Sequence, residues 1–225
     1  MAHTCQHQEV LKGTEEILHP DHSALIVVDV QNDFVHDDGA LANIVTKIGR
    51  DMTHVQGSLP GINEAIRVAR AAGVQVIYLQ EVISKATILP NFSTIFGDFE
   101  HVAVREGTWG AELMDEVLQP QENEPVIRKP CYDGFQDSAL DVTLRTLGVR
   151  TCVYCGGATN VCVESTARHG FVNGYYTVLL DDACGAASAQ EHEATLNTFR
   201  VFYGPVLRVA ELRALWAEVD APAAS

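Results

Sequence analysis

A chain of 225 residues that is 47% hydrophobic and 20% charged can bury one large core, and this composition excludes a disordered or fibrous protein. Thirty acidic residues against fifteen basic ones leave a formal charge of −15, a field that repels a phosphate backbone and argues against nucleic acid as a partner. No apolar run reaches bilayer length, and the polar first twenty residues lack the apolar stretch of a signal peptide, so the sequence predicts a cytoplasmic protein with no membrane partner.

Taken in chain order, the sequence predicts an N-terminal arm over residues 1–20, one domain over 21–219 and a short tail over 220–225. ALIVVDV (24–30) has the length and continuous apolar character of a buried strand. PGINEAIRVARAAG (60–73) has helical spacing, with Pro60 near its start and Gly73 at its end. VQVIYLQ (74–80) is a strand, TWGAELMDEVL (108–118) a helix, EPVIRK (124–129) a strand and DSALDVTLRTLG (137–148) a helix. TCVYCGG (151–157) is a strand, and TNVCVESTARHGFVNG (159–174) is helical up to its glycines. YYTVLLDDAC (175–184) is a strand and AQEHEATLNTFRVFYG (189–204) a helix, followed by a short strand at PVLRV and a last helix at AELRALWAEV. Helices alternating with strands that are apolar on both faces predict a three-layer α/β/α domain around a mostly parallel six-stranded sheet.

There are six cysteines and no export signal, so a disulfide framework is not expected. Cys152 and Cys155 have C-x-x-C spacing inside a buried strand, which reads as packing, because no second pair completes a zinc site. His3, Cys5 and His7 alternate near the chain start and read as part of a polar arm.

Ligands of such sheets bind beyond the carboxyl ends of the strands. Three chemical groups lie there: Asp29 in VVDVQNDF, Lys129 in VIRKPCYDGF and Cys162 in GGATNVC. Singly, each has a plain reading: a carboxylate capping a loop, a lysine reaching for solvent, a small core residue. Together they form a chemical set. A helix N-terminus and a cation favour a thiolate, a carboxylate can take and return a proton, and glycines let backbone N–H groups approach an oxyanion.

These three segments, in this order, resemble the signature segments of the isochorismatase-like cysteine hydrolases, and the resemblance runs from about Ser23 to the last helix. It implies an isochorismatase-like fold with a catalytic triad of Asp29, Lys129 and Cys162. It also implies a non-proline cis peptide between Gly157 and Ala158, and an oxyanion hole made by the N–H groups of Ala158 and Cys162. No cofactor is implied, and the expected assembly is a homodimer or homotetramer. Gly157 stands where the family usually has a bulky aliphatic residue.

Within the family, Cys162 argues against isochorismatases proper, which lack the cysteine. YLQEVISKATILPNF holds no histidine where nicotinamidases carry an Asp-x-His-x-x-His site, so no metal is expected. PNF (90–92), GTWGAELMDEV (107–117), KPCYDGF (129–135) and ATNVCVESTARHGF (158–171) resemble the ureidoacrylate amidohydrolases. That resemblance implies hydrolysis of a C–N bond in a small ureide or carbamoyl compound through a thioester. Glu81, Val82 and Ile83 depart from the Asn and aromatic residues of that branch, and at Glu81 the chain resembles biuret and N-carbamoyl hydrolases. A biuret-type or simple carboxamide hydrolase is therefore one alternative, and an inactive binding or interaction protein on the same fold is the other. Phe34, Glu81, Asn91 and Tyr132 fall at the same sheet edge and are expected to line the substrate site. For Glu81 a solvated loop charge is the competing reading. Arg168 and His169 read as packing or interface groups.

Overall fold

The structure is a computed structural model that describes residues 10–218, apart from Ile48 and Asp51. Six strands form one sheet: β1 (Ser23–Val28), β2 (Gln75–Glu81), β3 (Val126–Lys129), β4 (Thr151–Gly157), β5 (Tyr176–Gly185) and β6 (Val206–Leu207). Every pairing is parallel, and the spatial order is β3-β2-β1-β4-β5-β6, so the three-layer architecture expected from the sequence is the one found.

Among the described residues, ten α-helices cover the sheet or cap its edge: α1 (Gly13–Ile17), α2 (Asn32–Val35), α3 (Ala40–Lys47), α4 (Thr53–Gly57), α5 (Leu59–Ala71), α6 (Pro90–Phe96), α7 (Leu140–Thr146), α8 (Glu164–Val172), α9 (Ala189–Phe202) and α10 (Val209–Glu218). Side chains alternate across a strand, so the central strands feed two cores. Leu25 and Val27 join Val76, Val153 and Val178 beneath α5 and α10. Ala24, Ile26 and Val28 join Ile77, Leu79 and Tyr154 beneath α7, α8 and α9. The same alternation separates Cys155 and Cys152 into opposite cores, which is why their spacing builds no site. The five described cysteines are free and buried.

Several segments differ from expectation, among them 90–96, read as loop and found as α6. TWGAELMDEVL is not a helix beyond one 3₁₀ turn at Trp109–Ala111. Its backbone pairs with the segment leaving β1: Asn32 donates to the Glu112 carbonyl at 3.0 Å and Met114 to the Val30 carbonyl at 2.9 Å. Gly110 also sits where a Cβ would fall 2.1 Å from the Asp33 carboxylate. Residues 32–57, left without elements by the sequence reading, contain α2, α3 and α4. Within the expected N-terminal arm, the part from Leu11 is tied to the domain. Leu11 N–H donates to the Tyr176 hydroxyl, Thr151 Oγ1 donates to the Ile17 carbonyl, and the buried Trp216 indole donates to the Leu18 carbonyl at 2.7 Å. His3, Cys5, His7 and the expected tail lie outside the described residues. Among the described residues, no helix is long and apolar enough to cross a membrane.

The layer beneath α5 depends on one close approach. A Cβ on Gly61 would lie 1.8 Å from the Asp182 carbonyl oxygen on β5. Gly61→Ala is therefore expected to push α5 off the sheet and cost about 1–3 kcal/mol or more in urea unfolding. An unchanged midpoint would show that the helix is not seated as described.

Candidate active site

Four neighbouring strands deliver the chemical groups to one edge. β1 ends at Val28, and Asp29 follows with φ of 50°, a left-handed conformation that turns the chain off the sheet. Asp29 N–H still donates to the Leu79 carbonyl at 3.1 Å, so the turn stays tied to β2. Gln31 then clamps the end of β2 from both sides. It accepts from Glu81 N–H at 2.8 Å and donates to the Glu81 carbonyl at 2.8 Å and the Ala111 carbonyl at 2.7 Å. Asp33 accepts from the N–H groups of Ala40 and Val104, holding the start of α3 and the loop before Trp109. In VVDVQNDF one residue carries chemistry, and its neighbours build the frame around it.

Lys129 closes β3 directly opposite Glu81 in the strand register. Its ammonium lies 2.6 Å from Asp29 Oδ2 and 3.2 Å from Glu81 Oε2, and it donates to the carbonyls of Cys131 at 2.7 Å and Tyr132 at 3.2 Å. All three charged side chains are at most 1% exposed. The Cys162 thiol donates to Glu81 Oε2 at 3.7 Å, and one ligand atom each of Asp29, Glu81 and Cys162 lies within 4.8 Å of the others.

Burial sets the protonation of this cluster. It pushes the Asp29 carboxyl up and the Glu81 carboxyl up to about 7, against the pull of the Lys129 ammonium on both. Burial alone would lower Lys129, but Asp29, the thiol and Glu81 hold it above its ordinary value. Burial also drives the Cys162 thiol well above its usual range, with Lys129 opposing. Lys129 is therefore held as an ammonium and the Cys162 thiol is held neutral at rest.

The cysteine enters from β4. The Gly157–Ala158 peptide is cis, at the expected position, and residues Thr159–Val163 form one π-helical turn before α8 begins. A Cβ on Gly157 would meet nothing closer than 3.8 Å, so this position has room for a side chain. The sequence reading missed two supports of this turn. Thr166 donates to the Cys162 carbonyl at 2.7 Å and accepts from Gly134 N–H at 2.9 Å, joining α8 to the loop after Lys129. Buried His192 on α9 bridges Thr159 Oγ1 at 2.9 Å and Asp181 Oδ1 at 3.1 Å. Both residues act between elements far apart in sequence, so no local spacing signals them. Arg168 and His169 do pack: Arg168 pairs with Glu164 and covers the Tyr203 ring, and His169 pairs with Asp133.

A cavity of about 770 Å³ opens over these groups. Phe34, Glu81, Tyr132, Gly157, Ala158 and Cys162 all line it. Glu81 is no solvated loop charge but a member of the buried cluster. Asn91 is not brought to the site. It is exposed on α6, where the helical rotation set by Pro90 turns Phe92 inward instead. Among the described residues, two groups have donor sets that could hold a metal ion: Asp29 with Glu81 and Cys162, and Asp181 with His192 and Glu193. In the first, the Lys129 ammonium already lies against both carboxylates. In the second, both ring nitrogens of His192 have protein partners.

Comparison with known proteins agrees with this geometry. The Isochorismatase domain matches residues 23–211. Ureidoacrylate amidohydrolase RutB of Acinetobacter baylyi is 39% identical over 212 residues, covering 87% of this chain and 84% of the relative. A cysteine hydrolase from Pseudomonas syringae pv. phaseolicola superposes with a TM-score of 0.81 at 26% identity, covering 94% of this chain and 98% of its own. N-carbamoylsarcosine amidase from Thermoplasma acidophilum has a TM-score of 0.66 at 27% identity, with coverages of 83% and 96%. With a matched domain spanning the sheet from β1 into α10, the chain belongs to the isochorismatase domain family.

Proposed function

We propose that this protein is a cysteine amidohydrolase that cleaves a C–N bond of a small amide, ureide or carbamoyl compound. The observation that carries the reading is the meeting of Asp29, Lys129 and Cys162 beyond the carboxyl ends of β1, β3 and β4, under a cavity that Cys162 and Ala158 line. The names of the relatives, a ureidoacrylate amidohydrolase and an N-carbamoylsarcosine amidase, support the ureide class.

In this mechanism Asp29 takes the Cys162 proton as the sulfur attacks the carbonyl carbon. An Asp29 oxygen lies within 4.8 Å of the Cys162 sulfur, within reach for that transfer. Lys129 offsets the charge on sulfur, and the N–H groups of Ala158 and Cys162 receive the oxyanion. Collapse of the intermediate breaks the C–N bond, and Asp29 returns its proton to the leaving nitrogen, which departs as ammonia or an amine. Water activated by Asp29 then cleaves the thioester, releasing the acid or carbamic acid and restoring the thiol. Phe34 and Tyr132 bound the space for the substrate. A cytoplasmic location and a homodimeric or homotetrameric state belong to the same proposal.

Cys162→Ala is expected to keep the fold and lower ammonia release from a panel of ureides and amides by at least about 10³-fold. Near-normal release by the folded variant would end the thioester mechanism. Turnover is expected to survive exhaustive chelation, and loss that one divalent ion restores would overturn the metal-free scheme. The Glu81 carboxyl gives a stability test. Unfolded, it loses its proton near 4.5, and folded near 7, so between these values folding takes up a proton and stability falls as pH rises. Glu81→Gln removes that slope. Urea unfolding should show the variant gaining about 2–3 kcal/mol relative to the wild type between pH 4.5 and 7. Parallel profiles would show that Glu81 is ionised throughout.

A further inference from the structure

The cavity is much larger than the group to be cleaved, and its two ends differ in chemistry. Its volume of about 770 Å³ lies in the range that encloses a whole drug-sized ligand. The reacting end presents Glu81, Gly157, Ala158 and Cys162. The rest of the lining is mostly apolar, with Leu41 and Ile44 from α3, Phe92, Ile95 and Phe96 from α6 and Ile83 just past β2; its polar side chains include Asn43, Lys47 and His101. Ile95 is 69% exposed and Ile44 37%, so apolar surface stands open to water where a ligand could cover it.

Charge points the same way. Lys129, buried and engaged by two carboxylates, does not line the cavity; the basic side chains that do, among the described residues, are Lys47 and His101. Both are exposed, and among the described residues no arginine lines the cavity. An anionic substituent would have to leave water for a wall of aliphatic and phenyl groups without a buried counter-ion, against a molecule of formal charge −15. A neutral apolar substituent meets neither cost.

We propose that the substrate carries an uncharged apolar substituent about the size of an aromatic ring, seated between α3 and α6. The substrate class is then a neutral aryl- or alkyl-substituted amide or urea rather than a carboxylate-bearing ureide. This rests on the amidohydrolase reading for the cleavage but stands on the cavity for the substituent.

The two can be tested apart. Binding is measured calorimetrically on Cys162→Ala protein with a matched pair, N-benzylurea and 3-ureidopropionate, and turnover of both is measured on the wild type. N-benzylurea is expected to bind at least tenfold more tightly and, where turned over, to have the higher kcat/KM. Ile44→Arg, which places a cation on the apolar wall, should weaken N-benzylurea at least fivefold and narrow the gap. Lys47→Ala should leave the affinity ratio within twofold. Tighter binding of 3-ureidopropionate, or binding of neither probe, would overturn the proposal. So would a preference unmoved by Ile44→Arg. If the wild type turns over neither probe, that result counts against the amidohydrolase reading, while the binding measurements still decide the substituent.

Discussion

The structure turns on a single ammonium group held between two carboxylates out of reach of water. Lys129 lies against Asp29 and Glu81 at 2.6 and 3.2 Å, and none of the three is appreciably solvated. Isolated, each of these charges would be very costly to bury, and removing any one would leave the others uncompensated. The ammonium therefore fixes where β1, β2 and β3 end relative to one another. Two further donations, to the carbonyls of Cys131 and Tyr132, carry its influence into the loop that packs on α8 through Thr166. The cluster that suits proton transfer to and from a thiol is also a structural joint.

Around that joint, backbone pairing does most of the positioning. Gln31 satisfies both backbone groups of Glu81, and Asp33 accepts from two separate loops. These side chains sit in the turn Asp29 opens by leaving the sheet at a positive φ. The arrangement explains why a polar string directly follows one of the most apolar strands in the chain. Its members replace hydrogen bonds that the sheet can no longer supply.

Much of this was legible before any coordinates. Asp29, Lys129 and Cys162 stand at the ends of strands whose apolar runs are unmistakable, and parallel topology brings such ends together. The failures have physical causes. In 108–118 the buried positions Ala111, Met114 and Val117 have helical spacing, yet the backbone is engaged by the 30–32 segment, which no local pattern records. α3 carries Leu41, Ile44 and Val45 at helical spacing, a signal the sequence reading missed, whereas α4 is a five-residue helix, too short for periodicity to show. Glu81 was placed at the site, but its partnership with Lys129 depends on cross-strand register. Asn91 lost its place to Phe92 by one step of helix rotation, a difference below the precision of boundary reading. Thr166 and His192 matter through contacts with residues from other elements, and a linear sequence does not display those.

The strand order has a kinetic consequence. β1 lies between β2 and β4, and the cluster joins residues 48 and 81 positions apart in the chain. No hairpin and no single βαβ unit contains all of it. Closing such distant loops costs entropy before any of the contacts can form. During refolding, helices and individual strand pairs can appear without bringing the thiol, the ammonium and the carboxylates together. Recovery of chemical competence then marks completion of the four-strand centre and trails the recovery of secondary structure.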